Sequence, residues 1–146
     1  MMQIQQLGHV VLQVGDLERS ERFYTEVLGL AVAARMDEPA TTFFTLGNHH
    51  DFAISAIGPD AAAPSPKSPG LAHVAFKVGD CTDDLRRVKA GLDARGTEIV
   101  FMADHAVSQS IYVTDPDGNW IELYVDVSDV WRSDPQAVAT VAPLSL

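Results

Sequence analysis

Apolar and polar residues alternate in several short segments of the chain, a pattern typical of β-strands that bury one face. In the first of these segments, Val10, Leu12 and Val14 fall on one face of the predicted strand. His9 falls on the opposite face. The same order of leucine, histidine, two valines, glycine and aspartate returns at 71–80, with an offset of 64 residues (73 − 9) between the histidines. The chain therefore contains an internal repeat.

Each copy of the repeat continues into a predicted helix. Asp16 has the side chain of an N-cap, and an apolar stripe behind it predicts a helix over 17–28. In the second copy, Thr82 or Asp80 is the predicted cap, and acidic residues precede basic ones as the helix dipole favours. A glycine follows each predicted helix at the position of a C-terminal stop.

Three strand-like runs follow each helix, rich in β-branched and aromatic residues. They lie at 30–35, 41–46 and 52–57 in the first copy and at 98–102, 108–114 and 120–125 in the second. The pattern predicts the unit βαβββ written twice, and hence an α+β fold made of two tandem modules.

We predict a single domain with four parts. These are module 1 (about 5–58), a linker (59–70), module 2 (about 71–126) and a C-terminal tail (127–146). The linker is indicated by alanine, serine and four prolines: Pro59, Pro64, Pro66 and Pro69. For the weakly patterned tail we expect a short helix or a packed segment, with Trp131 as its only strong anchor.

Module 2 ends in a predicted β-hairpin. Residues 115–118 read Asp-Pro-Asp-Gly, with proline and glycine at the positions that a type I turn favours. If the strands pair symmetrically about this turn, Tyr112 and Glu122 lie opposite each other on one face. A carboxylate inside an otherwise apolar hairpin is costly unless it has a partner. We therefore expect another group to neutralise Glu122.

The composition narrows the range of functions. Among 146 residues, 20 acidic residues face 10 basic ones, so a net charge of −10 repels nucleic acid and other polyanions. A single cysteine, Cys81, leaves no internal disulfide framework and indicates a reducing compartment. No apolar run has the length of a membrane span, and the first residues lack the pattern of a signal peptide. We therefore expect a cytoplasmic protein.

The repeat also suggests where a site lies. Duplicated units usually pack about a pseudo-two-fold axis, which brings equivalent residues close together. His9 and His73 are therefore candidates for one shared site, and Glu122 lies on a strand of the same predicted sheet. In module 1 the position equivalent to Glu122 falls near Ile54, in a segment without a carboxylate.

Several segments together resemble the vicinal oxygen chelate superfamily. They are the βαβββ repeat, the segment 23–30 (Phe-Tyr-Thr-Glu-Val-Leu-Gly-Leu), and the turn 115–119 before Ile-Glu-Leu at 121–123. The resemblance covers residues 5 to 126 and implies that the two modules form a cupped mixed sheet. The superfamily includes glyoxalases, bleomycin-resistance proteins, fosfomycin-resistance enzymes and extradiol ring-cleavage dioxygenases, so it implies a fold and not one reaction.

Finer features resemble the type I extradiol dioxygenases, in a small one-domain form. Those enzymes hold their metal with one histidine on the first strand of each of two modules and one glutamate on the last strand. His9, His73 and Glu122 match these positions. Two imidazoles and one carboxylate, with other coordination positions open, suit non-haem Fe(II) and O₂ chemistry, and Mn(II) accepts the same ligands.

The resemblance also implies catalytic residues. The segment 49–54 resembles the family's His-Asp-x-Ala-Leu motif and assigns the acid-base role to His50. The family has a tyrosine ten residues before the ligand glutamate, which is Tyr112 here (122 − 112 = 10). His105 resembles a further histidine beside the family's metal site, although its spacing differs.

The leading hypothesis is an Fe(II)-dependent extradiol dioxygenase that cleaves a catechol-like aromatic diol with O₂. One alternative is a glyoxalase-like metal-dependent isomerase, epimerase or lyase, whose metal serves as a Lewis acid. Another is a metal-free protein of the bleomycin-resistance type that binds an aromatic ligand. The expected partners are the diol, O₂ and a second copy of the chain in a homodimer, without nucleic acid or membrane. Three aromatic residues are candidates to line the pocket: Trp120, Phe52 and Phe44.

Overall fold

The computed structural model describes residues 1–65 and 67–146, which form two compact units, Met1–Ala63 and Pro64–Leu146. Pro66 of the predicted linker lies outside the described residues. The described residues between 57 and 73 contain no helix or strand, as the proline-rich composition predicts. Each unit contains a sheet and one α-helix in the order βαβββ, which confirms the predicted α+β fold class.

Unit 1 contains a four-stranded sheet in the order β1-β4-β3-β2. Strands β1 and β4 are parallel, and the other pairs are antiparallel. The elements are β1 (Val10–Val14), α1 (Leu17–Arg22), β2 (Ala31–Asp37), β3 (Ala40–Thr45) and β4 (Phe52–Ala56).

The first helix begins as predicted and then widens. The Asp16 carboxylate accepts a hydrogen bond from the Arg19 amide at 3.0 Å, which confirms the cap. After α1, the predicted single helix becomes a π-helical turn at Phe23–Val27. The Thr25 hydroxyl donates to the Glu21 carbonyl at 2.8 Å, a side-chain bond that competes with the regular backbone ladder. Gly29, with φ +75°, then ends the helical segment as predicted.

The core of unit 1 lies between its helical segment and one face of the sheet. Tyr24 is fully buried there, with its ring 5.8 Å from Phe44 and 4.9 Å from Phe52 between centroids. Both phenylalanines are buried as well. They are therefore core residues, and the expectation that they line a pocket is wrong. The opposite face is more open, because Val11 on that face is 49% exposed.

Unit 2 contains a five-stranded sheet in the order β5-β8-β7-β6-β9, in which β5 and β8 are parallel. The elements are β5 (Val74–Gly79), α2 (Thr82–Ala94), β6 (Ile99–Asp104), β7 (Ser108–Thr114), β8 (Trp120–Asp126) and β9 (Ala142–Pro143). His9 and His73 each lie one residue before their strands, β1 and β5, and not within them as predicted.

The predicted caps of α2 are both wrong, because the helix is capped at Cys81. The Asp84 carboxylate accepts hydrogen bonds from the amides of Asp80 (2.8 Å) and Cys81 (3.2 Å). These bonds help to hold the pKa of Asp84 below its ordinary value. Thr82 is already helical, and its hydroxyl instead donates to the Gln109 side chain at 2.7 Å.

Gly79 is required by this cap. A Cβ at position 79 would lie 2.3 Å from the Cβ of Asp84, so an alanine must displace the capping carboxylate or the backbone. We expect Gly79→Ala to lower the free energy of unfolding by about 1–3 kcal/mol, measured by chemical denaturation. Gly91→Ala is the matched control in α2, where the new methyl group meets nothing closer than 3.6 Å. It should raise stability by about 0.5–1 kcal/mol, and equal effects of both variants would contradict the argument.

The hairpin between β7 and β8 has the predicted turn. The Gly118 amide donates to the Asp115 carbonyl at 3.0 Å, as in a type I turn. The Asp115 carboxylate also accepts from the amides of Asp117 (2.9 Å) and Asn119 (2.8 Å). The pairing places Tyr112 opposite Glu122, as predicted.

The tail forms two short 3₁₀ helices, Val130–Arg132 and Pro135–Ala139, and then pairs with the sheet through β9. Trp131 is 42% exposed, so its prediction as the anchor is wrong. The tail is held instead by backbone pairing, including a bond from the Leu144 amide to the Met102 carbonyl at 3.3 Å. Within the described part of the chain, no helix has the length and apolar character of a membrane span.

Candidate active site

The sheet of unit 2 has one face covered by α2 and an opposite face that α2 does not cover. Alternation along β7 and β8 places Ile111, Val113 and Ile121, all fully buried, on the face that α2 covers. Tyr112 and Glu122 point to the opposite face. The apolar strand residues therefore pack beneath α2, while the polar ones gather on the opposite face.

Glu122 is the centre of this polar cluster and is only 8% exposed. The Ser110 hydroxyl donates to its Oε1 atom at 2.5 Å. The Nε2 atom of His73 lies 3.0 Å from its Oε2 atom. The buried carboxylate therefore has the partners that its apolar surroundings require. Ser110 was not predicted as a site residue. The signal was present in the sequence, because Ser110 lies two residues before Tyr112 and side chains two apart in a strand share a face.

Tyr112 stays protonated in this environment. Burial and the negative charge of Glu122 raise the pKa of its phenol to about 12. The Nε2 atom of His105 lies 3.1 Å from the Tyr112 hydroxyl, and its Nδ1 atom lies 3.0 Å from the Thr140 carbonyl oxygen. A carbonyl only accepts hydrogen bonds, so Nδ1 of the neutral ring carries the proton and Nε2 can accept from Tyr112. The structure thus joins His105 to Tyr112.

A second cluster of histidines lies in unit 1. The ring centroids of His9 and His50 are 4.2 Å apart, and those of His49 and His50 are 4.7 Å apart. One nitrogen from each ring lies within 4.8 Å of the others, which is a donor set for a metal ion. Burial, followed by the neighbouring rings of His9 and His49, lowers the pKa of His50. His50 is therefore neutral at pH 7 and can accept a proton.

The strand registers identify equivalent positions in the two units. Val10 pairs with Phe52 in unit 1 as Val74 pairs with Ile121 in unit 2. The residue equivalent to Glu122 is therefore Ala53, which lies in the predicted segment near Ile54. The residue opposite Ala53 is Phe43, where unit 2 has Tyr112. The carboxylate and the phenol thus occur at these positions in unit 2 alone.

The structure places every predicted site residue in one of these two clusters. Unit 2 brings together His73, Glu122, Tyr112 and His105, and unit 1 brings together His9 and His50. Trp120 lies beside the first cluster, where it lines a cleft together with His73. His49 and Ser110 are the neighbours that sequence reasoning did not select.

A family model and a solved structure point to the same protein family. Residues 6–123 match the family described as the Glyoxalase/Bleomycin resistance protein/Dioxygenase superfamily. A crystal structure of a glyoxylase/bleomycin resistance protein/dioxygenase domain from Frankia sp. EAN1pec covers 86% of this chain and 100% of its own, with a TM-score of 0.73 and 21% identity. At that identity, the likeness supports the fold alone.

Two curated relatives point to different reactions. Biphenyl-2,3-diol 1,2-dioxygenase 3 from Rhodococcus globerulus is 33% identical over 82% of this chain and 63% of its own length. Glutathione transferase FosA from Serratia marcescens is 31% identical over 84% of this chain and 82% of its own length. The chain therefore spans less than two thirds of the dioxygenase and most of the transferase.

Proposed function

The chain belongs to the Glyoxalase/Bleomycin resistance protein/Dioxygenase superfamily, and from this premise we propose that it is a metal-dependent extradiol dioxygenase. Its substrate is an aromatic diol that is opened by O₂, and its metal is Fe(II) or Mn(II). The observation that carries the proposal is the asymmetry of the two sheets, with a glutamate at position 122 and an alanine at the equivalent position 53. This leaves one carboxylate for two repeat-related histidines, the ligand set typical of non-haem iron oxygenases.

The residues of unit 2 fit a metal ion. Two ligand atoms that each lie about 2.1 Å from one ion, at right angles, are about 3.0 Å apart. This is the separation of His73 Nε2 and Glu122 Oε2, which are 3.0 Å apart. Ser110 holds the other carboxylate oxygen and so orients Glu122, as outer hydrogen bonds do at metal sites. We propose His9 as the third ligand because it is the repeat equivalent of His73.

The protein's own side chains supply proton control. When bound, the ion would provide redox chemistry towards O₂ and a Lewis acid for the diol oxygens. The Tyr112 hydroxyl, protonated at neutral pH, has a single proton, which it would donate to a substrate oxygen beside Glu122 in place of His105 Nε2. Before substrate binds, His105 Nε2 accepts the hydrogen bond from that hydroxyl and so orients it. His50 accepts the proton of a diol hydroxyl at a ring nitrogen and returns it to the product.

A second candidate is a metal-dependent isomerase or transferase that does not use O₂. The observation in its favour is the similarity to glutathione transferase FosA from Serratia marcescens, which is 31% identical over 84% of this chain. In that reaction the ion would act only as a Lewis acid. A cytoplasmic location and a homodimer remain predictions from the sequence for either function.

Oxygen consumption separates the two candidates. Protein purified without oxygen is mixed with catechol or biphenyl-2,3-diol, and O₂ uptake is followed together with the absorbance of the ring-opened product. We expect one O₂ to be consumed for each diol cleaved. Formation or isomerisation of a glutathione adduct without O₂ uptake would contradict the dioxygenase and favour the second candidate. The same measurement on Glu122→Gln, expected to be inactive, excludes uptake by diol autoxidation.

A further inference from the structure

The short turn between β6 and β7 carries His105 and has a strained backbone. Ala106 lies in this turn with φ +66°, the only positive φ at a non-glycine position among the described residues. A β-carbon makes this left-handed region costly, and such conformations persist where the surroundings hold them, often beside functional sites. The shape of the turn is therefore imposed by its contacts and not by local preference.

Asp104 makes the contacts that hold this turn. Its Oδ1 atom accepts a hydrogen bond from the Ala106 amide at 2.8 Å, and its Oδ2 atom accepts one from the Gln109 side chain at 3.0 Å. The bond from Gln109, followed by that from Ala106, lowers the pKa of Asp104, so both oxygens are acceptors at neutral pH. Gln109 in turn accepts from the Thr82 hydroxyl at 2.7 Å. Asp104 thus ties the turn to the first residue of α2.

The position of the turn determines what the His105 ring can reach. Its Nδ1 atom lies 3.0 Å from the Thr140 carbonyl oxygen in the tail, and its Nε2 atom lies 3.1 Å from the Tyr112 hydroxyl on β7. The backbone amide of His105 donates to the Ser108 carbonyl at 2.8 Å. Because a separation above about 3.5 Å is no longer a hydrogen bond, a shift of the ring by about 0.5 Å breaks one of its two contacts.

We propose that Asp104 is a positioning residue, which fixes the turn so that His105 holds the Tyr112 hydroxyl ready for a substrate oxygen. The last step rests on the proposed function, because only there does Tyr112 meet the substrate. Asp104 acts through His105. A hydroxyl that is oriented before the substrate arrives needs no reorganisation during the reaction, which is where such a device gains rate.

Asp104→Ala tests the effect on turnover. It removes both acceptors and should lower kcat/KM for O₂ uptake with catechol about 10-fold at unchanged metal content, the size of loss that outer hydrogen bonds at metal sites cause. Asp104→Asn should stay within about 3-fold of wild type, because its amide oxygen still accepts from Ala106 and a flipped Gln109 amide accepts from its nitrogen. Ala106→Gly relieves the strain but keeps the amide, so kcat/KM should be unchanged while the midpoint of chemical denaturation rises.

Asp126→Ala is the matched control. Asp126 ends β8 opposite Ser108, beside the same turn, but its carboxylate lies 3.0 Å from the Lys77 ammonium and has no bond to the turn. Since an exposed ion pair contributes little, kcat/KM should stay within about 2-fold of wild type. Gln109→Ala removes one of the two donors to Asp104 and should lower kcat/KM in the same direction as Asp104→Ala, even if Asp104→Ala itself fails to fold.

Nitrogen NMR tests the geometry independently of turnover. In the full chain with labelled histidine, before iron is added, the His105 ring should carry its proton on Nδ1 in wild type and Asp104→Asn. In Asp104→Ala it should show the mixed tautomers of a free imidazole, and the signal lost in His105→Ala identifies the residue. The double variant Asp104→Ala/His105→Ala should be no slower than His105→Ala, because both changes remove one interaction.

Three results would overturn the inference: a proton on Nε2 of His105 in wild type, an unchanged tautomer in Asp104→Ala, or additive losses in the double variant. A change of tautomer in Asp104→Ala without O₂ uptake by any of the proteins has a different meaning. It would uphold the positioning of His105 by Asp104 and refute the dioxygenase.

Discussion

Replacing His73 with alanine is expected to release the metal ion and abolish turnover. His73 Nε2 lies 3.0 Å from Glu122 Oε2, so the variant loses one of the proposed ligands and leaves the buried carboxylate with Ser110 alone. Even outer-sphere changes at metal sites weaken binding by about 10–100-fold, so loss of a ligand should cost at least about 100-fold. The measurement is the metal content of protein purified without oxygen, compared between wild type and variant by mass spectrometry.

His49→Ala is the control variant that distinguishes an ion bound at His73 from an ion bound at the histidine cluster of unit 1. Its imidazole lies in the histidine cluster of unit 1, which is itself a donor set, but it has no place in the proposed site. The proposal expects near-stoichiometric iron or manganese in wild type and His49→Ala, and little in His73→Ala. The reverse result would place the ion on the cluster of His9, His49 and His50. Tightly held zinc or nickel would favour the isomerase, and absence of metal from every protein would favour a binding protein.

The sequence predicted the parts of the fold that depend on local signals. Strand alternation and the turn at 115–118 fix the hairpin, which is why the pairing of Tyr112 with Glu122 follows from the residues alone. The cap at Cys81 is less predictable, because a more usual capping residue stands on either side of it. The path of the tail depends on long-range pairing of β9 with β6, for which Ala142 and Pro143 carry no pattern.

Glu122 and its equivalent Ala53 show how far the residue offset of the internal repeat holds along each module. The first strands of the two modules are 64 residues apart (73 − 9), but Ala53 and Glu122 are 69 apart (122 − 53). Five additional residues thus lie within module 2 between its first and last strands. Such insertions in loops cost little, so a fixed offset loses accuracy along each module. The absence of a carboxylate from this segment is visible in the sequence, but only the paired strands identify Ala53 as the residue equivalent to Glu122.

The site residues also divide into those that the sequence identifies and those whose contacts appear only in the structure. His73 and Glu122 stand out because one repeats and the other interrupts an apolar hairpin. The contact of Ser110 with Glu122, and that of His105 with the Thr140 carbonyl, depend on side-chain rotamers and on the path of the tail. These contacts fix the orientation of the carboxylate and the tautomer of the imidazole. The hydrogen-bond partners of Glu122 and His105 are therefore the part of the site that required the structure.

His50→Ala is expected to lower turnover by about 100- to 10,000-fold, the usual contribution of a general acid-base group, while the metal stays bound. His50 is partly buried against His9, with their rings 4.2 Å apart, and the two neighbouring histidines favour its neutral form. It is thus poised to accept a proton, whereas it is not one of the proposed ligands. The readouts are kcat from O₂ uptake, metal content, and anaerobic binding of biphenyl-2,3-diol.

Comparing kcat of His50→Ala with kcat of His49→Ala decides whether His50 acts in catalysis or only in packing. His49→Ala removes the same side chain one residue earlier, from a more exposed position, and should keep kcat within a few-fold of wild type. A loss of kcat in His50→Ala, with metal content and diol affinity unchanged, places His50 in proton transfer. If His50→Ala retains turnover, or loses it only in proportion to its metal, the acid-base role is wrong and His50 merely supports His9.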